Sequence, residues 1–157
     1  MKKAAFVAFV VVLGLSLSPL VLFAQTQADE EEMVKSTLQT GKKAIIIDNM
    51  GFTEGESKAF WPVYDEFQQL KQKLNERTIK VLKDYIDGYE TLTNEKAEAL
   101  LKEYMAIEKE RTDLKAAFLP KFTKVLPAKK VVRYYQIENK LEAIVKYELA
   151  KEVPLIK

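Results

Sequence analysis

Apolar residues in the middle of the chain recur at intervals of seven: Phe60, Phe67, Leu74 and Val81. Val63, Tyr64, Leu70, Leu82 and Tyr85 add to the same run. Seven residues are two helical turns, so the repeat predicts a packing seam along one long helix. Its start is written just upstream. Thr53-Glu54-Gly55-Glu56 has the form of a capping box, in which the threonine hydroxyl and the N3 carboxylate satisfy each other's backbone amides. Gly88 is the expected stop. Pro62 lies inside the run, lacks an amide hydrogen and crowds the preceding turn, so a kink is expected near Ala59 to Trp61.

A second periodic run follows Thr93, a candidate cap: Ala97, Leu100, Leu101, Tyr104, Ile107, Leu114, Phe118, Phe122 and Val125. Pro120 is expected to bend it close to its end. Pro127 suits position N1 of another helix, where a missing amide costs nothing. That helix carries Tyr134, Ile137, Leu141 and Ile144 on one stripe, with Tyr147 and Leu149 beside it, and closes before Pro154. Upstream, Ile45-Ile46-Ile47 is β-branched but short and has no partner strand. It reads as the continuation of a first helix ending near Asn49, with Gly51 as its stop. The predicted fold is all-α, with about four helices. Two are long and kinked, in an extended antiparallel hairpin arrangement. So few helices cannot close a thick core. Seam residues must stay open or be covered by a second copy, so a homodimer is expected.

The first thirty residues follow a different rule. Lys2 and Lys3 precede the uncharged stretch Ala4 to Phe23, and small residues stand at Ala24 and Ala28. This is the layout of a signal peptide over residues 1–24, with cleavage as late as 28 as the other position. The alternative is an uncleaved anchor, since about 20 apolar residues can just span a bilayer; Ser16, Ser18 and Pro19 weigh against it. The reading leaves residues 29–157 as a single all-helical exported domain, with no integral membrane association after cleavage. Asp29-Glu30-Glu31-Glu32 reads as a helix start, where acids complement the dipole.

Loss of Lys2 and Lys3 also changes the charge. The chain has 25 Lys and Arg against 23 Asp and Glu, so the mature part is balanced. That makes it a poor candidate for nucleic-acid binding, which needs excess cations against phosphate. Cysteine and histidine are both absent. Nucleophile–histidine pairs cannot be built, and transition metals lose their two commonest side-chain ligands. Carboxylate pairs remain possible, but the acids are scattered among lysines, and five glycines form no phosphate loop. The expectation is no enzyme and no cofactor.

One local feature breaks the balance. From Leu114 to Ile137 the chain contains Lys115, Lys121, Lys124, Lys129, Lys130 and Arg133 and no acid. Lys121 and Lys124 share a helix face, as do Lys129 and Arg133, and both pairs flank Pro127, so they converge on one corner. The adjacent pairs Phe60-Trp61 and Tyr134-Tyr135 each span about 100° on a helix, so one member of each points partly away from the seam. The candidate client- or partner-binding set is therefore Phe60, Trp61, Lys121, Phe122, Lys124, Lys129, Lys130, Arg133, Tyr134 and Tyr135. Charge would steer an acidic partner and flat apolar area would hold it. The alternative is core packing for the rings and a solvated corner for the charges.

With a signal peptide, four helices and motifs at helix starts, the chain resembles the Spy/CpxP family of periplasmic proteins. Phe52-Thr53-Glu54-Gly55-Glu56 looks like that family's L-T-x-x-Q motif with Phe for Leu and Glu for Gln. Leu126-Pro127-Ala128-Lys129-Lys130 stands where the second motif would fall, without its Thr and Gln, and Leu92-Thr93-Asn94-Glu95-Lys96 keeps only Leu-Thr. The resemblance covers most of residues 45 to 150. It implies a small, helical, cradle-shaped homodimer that binds unfolded or misfolded proteins without ATP, or modulates envelope-stress signalling. Relatives that bind metals use His, which this chain lacks. The expected function is thus a periplasmic ATP-independent chaperone or stress-related protein. The alternative is a helical adaptor or regulatory protein for one defined envelope or sensor partner.

Overall fold

The computed structural model describes residues 39–156; the expected signal peptide and the acidic run Asp29 to Glu32 lie outside them. Among the described residues there are four helices and no strand, which is the all-α class the periodicity predicts. Residues 39–50 are helical (α1). Then come α2 (Glu54–Gly88), a 3-10 turn (Tyr89–Thr91), α3 (Asn94–Val125) and α4 (Ala128–Glu152). The chain divides into two compact units between Asp48 and Asn49, inside the span expected to be one domain. The second unit carries α2 to α4.

The helix boundaries are set by local chemistry. Gly51 takes φ +54°, the left-handed conformation that ends a helix and that glycine adopts without strain. The capping box forms: the Thr53 amide donates to Glu56 Oε2 at 2.7 Å and the Glu56 amide to Thr53 Oγ1 at 3.3 Å. Thr93 Oγ1 accepts from the Lys96 amide at 3.3 Å and starts α3. Pro127 stands one position earlier than expected, at the N-cap of α4. Its carbonyl accepts from the amides of Lys130 and Val131 at 2.9 and 3.1 Å. Helix α2 runs 35 residues through Pro62, and α3 runs 32 residues through Pro120.

Helices α2 and α3 form an antiparallel hairpin. Phe67 meets Phe118 near the α3–α4 turn, and Arg77 reaches Glu103 and Glu110 further along. Helix α4 then runs back along the pair, parallel to α2. Its contacts climb in order, from Lys130 with Glu56 to Glu138 with Lys71. Past the helix, the Pro154 and Leu155 carbonyls accept from the Tyr85 and Tyr89 hydroxyls. The α2 and α4 backbones stay more than 8 Å apart at Cα, so large side chains must fill the space between them.

Candidate functional site

Near the α3–α4 turn the space between the helices is filled by rings. Phe60, Phe122 and Tyr134 are fully buried, with centroids 4.7 to 5.7 Å apart. Tyr64, Phe67 and Phe118 extend the cluster. Edge and tilted packing of this kind adds about 0.5–1.5 kcal/mol per pair beyond burial. Phe60, Phe122 and Tyr134 are therefore core residues rather than the binding surface expected of them. They are seam residues, and the third helix closes over them. Trp61 and Tyr135 are half-buried rims of the cluster. The Trp61 indole donates to Ser57 Oγ at 3.0 Å, and the Tyr135 hydroxyl donates to the Lys115 carbonyl at 2.8 Å. Burial first, and then the Glu138 carboxylate, pushes the Tyr135 hydroxyl up to about 12.

The basic corner is half compensated. Lys121 pairs with Glu66 at 2.6 Å and lies 4.3 Å from the Phe118 ring centroid. Lys130 pairs with Glu56 at 2.5 Å and donates to the Gly51 carbonyl, tying α4 to the start of α2. Its ammonium and the Thr53 amide hold the Glu56 carboxyl below its usual range. Lys115 pairs with Glu142 at 2.9 Å. The partners come from elsewhere in the chain, so an acid-free stretch of sequence is not an acid-free stretch of surface. Lys124, Lys129 and Arg133 remain exposed, with no carboxylate within 4 Å among the described residues.

One turn further along α2 the rings give way to a charged layer that the sequence reading missed. Lys71, Arg111 and Glu138 are buried, one from each helix of the unit. Lys71 Nζ lies 2.5 Å from Glu138 and 3.3 Å from Glu142. Arg111 donates to Asn75 and Thr78 at 2.8 and 3.2 Å, and Gln68 donates to Glu138 at 3.3 Å. Among the described residues no buried side-chain polar atom lacks a partner. Burial alone would raise the Glu142 carboxyl, but Lys71, Lys115 and Arg111 outweigh it and hold it at about 2, against an ordinary 4.5. A signal existed in the sequence. Lys71 follows Phe67 by four and precedes Leu74 by three; Arg111 stands the same way between Ile107 and Leu114, and Glu138 between Tyr134 and Leu141. Each charge occupies a seam register.

Beyond this layer α2 and α3 keep an apolar cluster of Leu74, Val81 and Ile107, flanked by Leu100, Tyr104 and Leu114. Helix α4 no longer covers its own side there. Val145 continues its inward stripe (Val131, Tyr134, Glu138, Glu142) yet is 58% exposed. Leu101 and Met105, near the matching end of antiparallel α3, are each 61% exposed.

Among the described residues no cluster of three acid side chains could hold a metal, and no helix is long and apolar enough to cross a membrane. No family model, curated protein or solved structure matches the chain.

Proposed function

We propose that this chain is a periplasmic, ATP-independent chaperone or stress-related protein that binds unfolded or misfolded envelope proteins. The observation that carries the reading is the apolar surface left open at Leu101 and Met105 on α3 and at Val145 on α4. Leu101 and Val145 stand open in registers that are buried nearer the α3–α4 turn, at Phe122 and Val131, and Met105 is exposed one turn from Leu101; exposed apolar surface of this kind suits contact with another polypeptide. The unpaired cations Lys124, Lys129 and Arg133 add a steering charge at the opposite end of α4, where it acts on encounter more than on retention. The signal-peptide layout and the imperfect L-T-x-x-Q motifs agree with this reading. A homodimer is part of the proposal, because a second copy can shield the open seam between clients.

Aggregation suppression of two unrelated denatured proteins without ATP tests it. The expected result is protection of both, weakened by Leu101→Ser with Met105→Ser in a variant whose circular dichroism is unchanged. Protection of neither client, together with capture of a single envelope protein, would make the chain an adaptor instead.

A further inference from the structure

The acids of α4 are placed unevenly. Glu138 and Glu142 turn inward to Lys71, Arg111 and Lys115. On the opposite side, Lys129, Arg133, Lys140 and Lys151 alternate with Val132, Ile144 and Tyr147 along one exposed stripe, about 120° wide at 100° per residue. No acid falls on it. Lys129, Arg133 and Lys140 have no carboxylate within 4 Å among the described residues. Glu148, at the stripe's edge, is held by Lys151 at 2.6 Å, and Lys151 lies 5.3 Å from the Tyr147 ring centroid. Ile144 and Tyr147 are 61% and 65% exposed.

We propose that this outward face of α4 rests on an anionic lipid surface. The four cations sit at headgroup level, and Ile144 and Tyr147 enter the interface between them. Charge complementarity argues for the occupant, because an acid-free row of cations, all but Lys151 without a carboxylate partner among the described residues, meets no repulsion from a uniformly negative plane. Geometry argues for a plane over a folded protein. The stripe is the convex outer side of a single helix, roughly 33 Å long from Lys129 to Lys151 at 1.5 Å per residue. A plane touches such a ridge along its whole length, whereas a folded partner would need a matching groove. Lysine and arginine stems can lie along the interface while their charges stay in water, and tyrosine is at home at that depth. The proposal goes beyond the client reading: it shares Lys129 and Arg133 with the steering charge named there but leaves Leu101, Met105 and Val145 free, so the chain holds clients there while lying on a membrane surface.

Co-flotation of the exported chain with vesicles tests it, comparing phosphatidylcholine alone with equimolar phosphatidylcholine and phosphatidylglycerol. The readout is the difference between the two vesicle types, which the uncharged stretch Ala4 to Phe23 does not supply. Binding should need the anionic lipid and fall as salt rises. Lys129→Gln, Arg133→Gln and Lys140→Gln together should weaken it roughly a hundredfold, about fivefold per cation. The same number of changes at Lys80, Lys102 and Lys109, exposed but paired within their own helices, should change it little. Ile144→Ser with Tyr147→Ser should remove the binding that survives high salt. All of these side chains are exposed, so the variants keep their fold. Equal loss in both triple variants, or flotation indifferent to lipid charge, overturns the proposal. So does a chain that ignores vesicles while its α4 cations are needed to bind polyglutamate, which would make the stripe a site for acidic protein. Aggregation suppression measured without vesicles stands or falls separately.

Discussion

The ring cluster and the charged layer lie next to each other in the same three-helix unit, and both fill the gap between α2 and α4. They do so by opposite means. Phe60, Phe122 and Tyr134 gain from leaving water and need only shape to fit together. Lys71, Arg111 and Glu138 lose hydration on burial, and their mutual attraction offsets that loss only because every polar atom has a partner. The rings supply stability without insisting on one register. The charges contribute less net stability but penalise any arrangement that separates them. Together they fix where α4 lies, and hence which of its faces points outward.

The largest effect should come from the rings. Phe122→Ala should cost about 3–5 kcal/mol in urea unfolding, the range for a large aromatic side chain removed from a core. A cost under about 1 kcal/mol would return Phe122 to the surface and remove the contrast.

The charged layer should respond differently to single and double changes. Glu138→Ala leaves Lys71 with only Glu142 and should cost about 3 kcal/mol. Lys71→Met combined with Glu138→Leu should recover most of that, since an apolar pair of similar volume replaces the ion pair with little net loss. A double variant as unstable as the single one would mean that the layer adds net stability, like the rings. Acid sharpens the same point. The folded Glu142 carboxyl titrates at about 2 rather than 4.5, so its stabilising contribution is complete above pH 4.5 and is lost as pH falls toward 2. Melting temperature should drop across that window, and Glu142→Gln should flatten the drop.

The contrast also explains what could be read from the chain. The seven-residue repeat located α2, its cap at Thr53 and its end at Gly88, because helix boundaries and apolar registers are local facts. The role of the rings depends on a third helix closing over them, which no local pattern contains, so Phe60, Phe122 and Tyr134 read as surface in the sequence and are core in the fold. The basic corner differs in the other direction: it reads as uncompensated in the sequence and is half paired in the fold. Its counter-charges Glu56, Glu66 and Glu142 lie far along the chain, and no window around Leu114 to Ile137 contains them. The charged layer was within reach. Lys71, Arg111 and Glu138 each interrupt a seam at the same register, which three independent solvated residues have no reason to share.

The smallest effect should be found where α4 leaves the seam open. Val131 and Val145 are fourteen residues apart, so they occupy the same register on one helix two heptads apart. Val131 is 2% exposed and Val145 is 58% exposed. Val131→Ala should cost about 2 kcal/mol, on the scale of burying such a side chain, while Val145→Ala should stay within about 0.5 kcal/mol. Paired unfolding curves at low protein concentration measure both. The register is identical and the substitution is identical, so any difference reports only what lies against each valine. A cost at Val145 that matches Val131 would mean that the open seam is covered. If that cost grows with protein concentration, the cover is a second copy of the chain; if it does not, the cover lies within one molecule and the surface proposed for clients is not free.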